Sequence, residues 1–244
     1  MLIDWSPVTR ELAQWRAAGL GLPLWWRDDD AASATPELER LIALSEAVEV
    51  PVHLAVIPDM AEAGLATRLA DAQCLIPVVH GWAHQNHAAA DAKKAEFGAG
   101  RGDVADEFQS GMDRLHTLFG DRLKPMFVPP WNRISPEYYP ALVQAGFQIL
   151  STYTPRKHPQ AAAGLQQINT HLDPIAWRKG KTLLDPDQLV AQLAQLLLDR
   201  RTGVADNDEP LGLLTHHLVH DGDVWEFTRQ LLTVLQDGPV SLYR

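Results

Sequence analysis

Short apolar runs alternate with amphipathic stretches along the whole chain. "LPLWW" (22–26) reads as a buried strand that stops at three aspartates. "TPELERLIALSEAVEV" opens on a Thr-Pro helix start at Thr35 and Pro36 and continues with helical spacing. "PVHLAVIP" (51–58) and "CLIPVV" (74–79) read as the next strands, separated by a short helix from about residue 60 to 70. A polar segment, 81–102, precedes a helix over 103–120, with Asp103 as its start and Gly120 as its stop. "PMFV" (125–128) is a strand closed by "PPWN", and Ser135-Pro136 starts another helix. "FQILST", "LQQINTHLD" and "LGLLTHHLVH" complete the strands, with helices over 185–201 and 223–238.

Strand followed by helix, about seven times, predicts an α/β chain built on parallel strands with crossover helices. The site of such a sheet lies at the carboxyl ends of its strands. Polar residues collect there: "RDDD" after the first strand, "HGWAH" after the third, "PPWN" after the fourth, "HLD" after the sixth and "HH" late in the seventh.

Each group has a plain reading beside a chemical one. Asp28, Asp29 and Asp30 could cap a helix and otherwise be solvated, or they could gather around a cation that relieves their repulsion. Neighbouring carboxylates can also divide tasks, one binding metal and the other accepting a proton. His80 and His84 stand four apart and suit zinc-type ions with a carboxylate as third ligand, although many such pairs are structural. The zinc-protease glutamate between the histidines is absent, so a base must come from elsewhere, with Asp28 as candidate. His87 is either a further ligand or, as the expected reading, a supporting or loop residue. Strand alternation sends His216 and His217 to opposite faces, so one of them points to the site and can serve as a general acid. Trp131 and Trp177 can wall a groove or simply pack in the core.

Composition narrows the classes. The 244 residues are 46% hydrophobic and 21% charged, ordinary for a globular chain. A net charge of -10 makes nucleic acid and anionic membrane surfaces poor partners. Cys74 is the only cysteine, which rules out a disulfide framework within the chain. The opening residues lack a basic segment followed by an apolar one, and no apolar run approaches a membrane span, so a cytoplasmic location is expected.

The order Asp-Asp, His-x-x-x-His, Pro-Pro-aromatic, Asp/Trp segment and Leu-x-His resembles the polysaccharide deacetylase family, the NodB-homology domain of carbohydrate esterase family 4. The resemblance spans roughly residues 22–221. It implies a distorted (β/α) barrel of about seven strands; the chain is expected to form this one domain over 1–244, with 1–20 as an N-terminal helix. It implies Asp28 as catalytic base, Asp29, His80 and His84 as metal ligands, and His216 as general acid. Pro130, Trp131, Asp173 and Trp177 would line the substrate groove, while Asp30, His87 and His217 would be supporting residues. The implied cofactor is a divalent metal, zinc first, with cobalt, nickel or iron as alternatives. The implied reaction removes an N-acetyl or similar acyl group from an amino sugar or glycan precursor, a small molecule or oligosaccharide. Alternatives are an amidohydrolase on a non-carbohydrate substrate and a relict glycan-binding protein.

The chain departs from the family pattern in several places. Asp30 stands where the glycine after the Asp pair is expected, and Gly81 stands in the Ser/Thr position. Val128 replaces the arginine that orients the base, and Ala176 replaces that arginine's partner. Losing both together avoids a lone buried charge. Arg27, Arg101 and Arg133 are the candidates to replace the missing cation.

Overall fold

Strand β1 carries the architecture, and its sequence explains why. In a computed structural model describing residues 1–102 and 104–244, β1 covers Leu22–Ala31 and not only the apolar run 22–26. It is buried along nearly its whole length because it pairs on both sides, with the strands over Val52–Val56 and Leu211–Thr215.

The chain runs α1 (Ser6–Ala17), β1, α2 (Pro36–Ala47), β2 (Val52–Val56), α3 (Ala63–Asp71), β3 (Leu75–His80), α4 (Ala105–Phe119) and β4 (Met126–Val128). It continues through α5 (Tyr139–Gln144), β5 (Ile149–Leu150), β6 (Gln160–Ala162), β7 (Leu165–Gln167), β8 (Ile175–Ala176) and β9 (Thr182–Leu183). It ends with α6 (Pro186–Arg201), β10 (Leu211–Thr215), α7 (Gly222–Gln236) and β11 (Val240–Leu242). Parallel strands lie in the order β10-β1-β2-β3-β4-β5-β7, with β6 antiparallel at the end and β11 parallel beside the start of β1. Beyond β7 the chain returns to β10 through an isolated parallel bridge, Leu172 to Leu213, which closes a distorted (β/α) barrel.

Several expectations shift. The two strands expected around 147–152 and 165–173 are short ladders plus bridges, because polar side chains there (Thr152, Gln167, Asn169) hydrogen-bond one another. The hairpin β8/β9 and the final strand β11 carry too few apolar residues to announce themselves. Asp103, expected to start α4, lies outside the described residues. The helix over Ser6–Ala17 forms within 1–20 as expected and buries Val8, Leu12 and Trp15. Thr35 caps α2 by accepting from the Leu38 amide at 3.1 Å.

Two cores result. Trp25, Ala55, Val78, Met126, Val128, Ile149 and Ile168 fill the barrel interior. Leu24 and Trp26, the alternate positions of β1, belong to the larger layer between strands and helices. Among the described residues no helix is long and apolar enough to cross a membrane.

The closing seam is tight. A Cβ on Gly212 of β10 would sit 2.7 Å from both Asn169 O and Thr170 Cα. Trp25 Nε1 donates to Asn169 O at 3.1 Å across the same seam. Gly212→Ala is therefore expected to destabilise the protein by about 1–3 kcal/mol through overpacking. Urea unfolding measures this, and an unchanged midpoint would contradict a seam this close.

Candidate active site

The three aspartates of β1 go three different ways. Alternation points Trp25, Arg27 and Asp29 into the barrel and Asp28 outward. Asp28 is fully buried beneath the 217–219 turn. It accepts from Thr215 Oγ1 at 2.5 Å, from the His217 amide at 3.0 Å and from His217 Nδ1 at 2.5 Å. At Asp30 the alternation breaks. Its φ is 74°, and the pairing of β1 with β2 shifts register between Asp28 and Ala31. The shift brings Asp30 back to the mouth of the barrel, beside Asp29.

Asp30 Oδ1 lies 3.0 Å from His80 Nε2 and 3.3 Å from His84 Nε2. Ligand atoms of the three residues all fall within 4.8 Å of one another. His80 comes from the end of β3. Its Nδ1 donates to Val128 O at 3.0 Å, which leaves Nε2 free to ligate. His84 follows a sharp turn at Gly81 (φ 60°), where a Cβ would meet the Pro130 ring at 2.6 Å. That close approach accounts for glycine in place of the expected Ser/Thr. The turn is held by Glu96, a buried carboxylate that accepts from the amides of Trp82, Ala83 and Gln85. His84 packs on Trp131, ring centroids 4.4 Å apart, and is itself at φ 56°.

The expected grouping of Asp29 with the two histidines is therefore corrected: Asp30 joins them. Asp29 is gripped by Arg27, which donates Nε to Oδ1 at 2.8 Å and Nη2 to Oδ2 at 2.9 Å. Arg27 also donates to Asn132 Oδ1 at 2.6 Å and to Ser151 Oγ at 2.7 Å. Of the three candidate arginines, Arg27 takes the place beside the Asp pair. Arg101 instead pairs with Glu107, and Arg133 donates to Lys94 O at 2.8 Å. Asp28, expected as the base, lies away from the cavity, since the strand runs past it and turns it from the mouth.

A cavity of about 730 Å³ opens above these groups. Asp29, Asp30, His80, His84, Trp131, Asp173, Trp177 and His216 line it. His216 sits edge-on to Trp177 at 4.6 Å, and its amide donates to His220 Nε2 at 3.3 Å. Its Nδ1 is buried with no hydrogen-bond partner among the described residues. His217 turns away onto Asp28. Asp173 accepts from Trp177 Nε1 at 2.8 Å and from the Ile175 amide at 2.9 Å. Pro130 is buried behind the turn at Gly81, and His87 is exposed, its amide bonded to Ala95 O at 2.9 Å; neither lines the cavity.

Electrostatics follow from these contacts. Burial alone would raise the Asp30 pKa, but hydrogen bonds from His80 and His84 outweigh it and hold the carboxyl well below its usual range. Burial works against a charged His80, yet the hydrogen bond to Asp30 and the charges of Asp29 and Asp30 raise its pKa. Burial pushes Asp173 up, with His216 acting against it.

The sequence offers Arg27 only as one of three candidate cations, and it gives no sign of Asn132, Glu96 or the cavity-lining Tyr153. An i, i+2 Arg-Asp pair is a signal for the first, once the strand is extended. The others have none; Asn132, for one, reaches Arg27 only through a left-handed turn at φ 57°.

The outer pair Asp28–His217 sets a pH dependence. Burial raises the Asp28 pKa, but the charge and hydrogen bond of His217 lower it overall. Burial disfavours charged His217, but Asp28 raises its pKa overall. Asp28's contribution is present above its ordinary 3.8 and is lost as pH falls through its lower folded value. His217's is present below its ordinary 6.5 and is lost as pH rises through its higher folded value. His217→Asn is expected to cost about 3–5 kcal/mol between those two ordinary values and less at alkaline pH. Chemical unfolding across pH checks this, and a constant difference would contradict it.

No family model matches the sequence, and no curated protein matches it. Solved structures do. A family 4 carbohydrate esterase from Streptomyces lividans in complex with acetate is 11% identical over 91% of each chain, with a TM-score of 0.55. A family 4 acetyl xylan esterase from Clostridium thermocellum with a cobalt ion is 12% identical over 91% of this chain and 87% of that one, TM-score 0.51. A family 4 pseudoenzyme from Bacillus anthracis is 13% identical over 91% of this chain and 63% of that one, TM-score 0.54. The fold of this chain is therefore the distorted (β/α) barrel shared by these family 4 carbohydrate esterases and deacetylases.

Proposed function

We propose that the protein is a metal-dependent deacetylase that removes an acetyl or similar acyl group from an amino sugar or glycan precursor. The observation that carries this reading is the pairing, at one barrel mouth, of an Asp30–His80–His84 donor set with an Arg27-held Asp29.

The donor set fits a divalent ion. It offers one carboxylate and two imidazoles, and one imidazole is already fixed as the ligating tautomer by Val128 O. Zinc suits it best, with cobalt, nickel and iron as alternatives. When bound there, the ion supplies Lewis acidity toward the scissile carbonyl and toward water.

Asp29 is the base. Arg27 fixes both of its oxygens in orientation, and each retains a lone pair to take a proton from water. His216 is the acid, and Trp177 holds its ring at the cavity wall while it passes a proton to the departing amine. Trp131 and Trp177 provide apolar walls for a sugar ring, and Asp173 anchors the Trp177 indole. The roles assigned by resemblance to Asp28 and Asp29 thus move one residue along, to Asp29 and Asp30.

A relict glycan-binding protein is the second reading, favoured by the likeness to a pseudoenzyme. Intact base, acid and donor set speak against it. The two part on one experiment: metal analysis with a deacetylation screen on acetylated amino sugars. Asp30→Ala and His80→Ala are expected to lose both metal and activity. Asp29→Asn is expected to keep its metal and lose about 10²–10⁴-fold in kcat. Metal-free wild type, or a wild type that binds acetylated sugars without turnover, would overturn the deacetylase reading.

A further inference from the structure

Cations gather on one rim of the cavity. Lys93 and Arg133 line it together with Trp131, and Lys94 Nζ lies 5.9 Å from the Trp131 ring centroid. All three cations are exposed, and among the described residues none forms an ion pair with a carboxylate. The acids of the same cavity have partners already. Asp29 has Arg27, Asp30 has the two histidines, and Asp173 has the Trp177 indole and the Ile175 amide. The rim is thus a patch of unneutralised positive charge on a chain of net charge -10.

The backbone beneath these cations is pinned in place. Arg133 Nη1 donates to Lys94 O at 2.8 Å and ties the two segments together. The Ala95 amide donates to Asn86 Oδ1 at 3.0 Å, and buried Glu96 bonds three amides of the turn that carries His84. Phe97 then bridges to Ile134, and the Ser135 amide donates to Phe97 O at 2.8 Å. Backbone that positions His84 therefore also positions Lys93, Lys94 and Arg133.

Exposed cations carried on a pinned backbone, beside an aromatic wall and without acidic partners, are suited to an anion. A neutral glycan chain would leave them uncompensated. We propose that this rim binds an anionic group, phosphate or carboxylate, carried by the acylated amino sugar itself. The inference rests on the deacetylase reading for the position of the acyl group and deepens it by naming the substrate's charge. Arg133 offers a fork for two oxygens of the anion, and Lys93 a point charge.

The test uses binding, so that it does not depend on turnover. N-acetylglucosamine, N-acetylglucosamine 1-phosphate and N-acetylmuramic acid are titrated by calorimetry into wild type, Lys93→Ala/Arg133→Ala and Lys93→Arg/Arg133→Lys. The phosphate or the carboxylate sugar is expected to bind wild type about tenfold tighter than the neutral sugar at low salt, with the margin shrinking as salt rises. The double alanine variant is expected to lose that margin while still unfolding cooperatively as a folded protein, and the charge-conserving variant to retain most of it. Which anionic sugar is favoured identifies phosphate or carboxylate as the source. Equal binding of all three sugars by wild type overturns the inference. So does a margin that survives in the double alanine variant, because the anion then binds elsewhere, for instance at the metal. Preference without deacetylation of any sugar would uphold the anion site and overturn the deacetylase reading instead.

Discussion

Arg27 and Asp29, two positions apart on one strand, form a buried ion pair at the centre of the barrel mouth. Arginine in such a place is costly unless every donor is used. Here all five N–H groups find oxygens: two on Asp29, one on Asn132, and the rest on the Ser151 hydroxyl and the Ser151 and Thr152 carbonyls. One guanidinium thereby joins β1, the 130–132 turn and the chain after β5. Removing it would leave Asp29 as a lone buried charge and release three segments of the site at once. The valine at 128, apolar and inside the barrel, is compatible with this arrangement because the cation arrives from a different strand, β1.

The fold was largely legible because its signal is repetitive. Apolar runs at 51–58, 74–79 and 211–215, divided by amphipathic helices, need only periodicity to be recognised. His80 and His84 were legible too, since a strand end fixes the first and a short turn the second. Within "RDDD" it is Asp30, and not the expected Asp29, that sits with the two histidines, and the cause is local. An apolar run that ends at Trp26 suggested that the strand ended there. Pairing with β2 and β10 instead carries the strand to Ala31 and buries charged residues that no propensity would place in a strand. A positive φ at Asp30 then undoes the alternation that the longer strand imposes. Neither effect has a signature in the sequence of β1 itself; both are set by its neighbours.

The same shift separates two acidic tasks that lie side by side in the chain. Asp28 faces the outer layer and ties the histidine turn down through His217, while Asp29 and Asp30 face the cavity. Three consecutive carboxylates would repel strongly if they shared one environment. Here each has its own counter-charge or donor set, drawn from a different direction: His217 behind, Arg27 within, His80 and His84 above. The histidine pair at 216 and 217 divides in the same manner, one toward the cavity and one toward Asp28.

Charge placement also separates the floor of the cavity from its rim. On the floor, each carboxylate is neutralised or hydrogen-bonded by groups of the protein, so the floor draws little on a substrate's charge. On the rim, Lys93 and Arg133 have no carboxylate partner among the described residues, on a chain whose net charge is -10. An anionic sugar bound as proposed would be drawn to the mouth by a region of opposite sign next to the site, and oriented there beside Asp30, His80 and His84. The turn built on Glu96 makes that orientation stiff, because it holds His84 and the rim lysines on the same short segment. The proposed anion site and the donor set of Asp30, His80 and His84 would thus be coupled through backbone geometry.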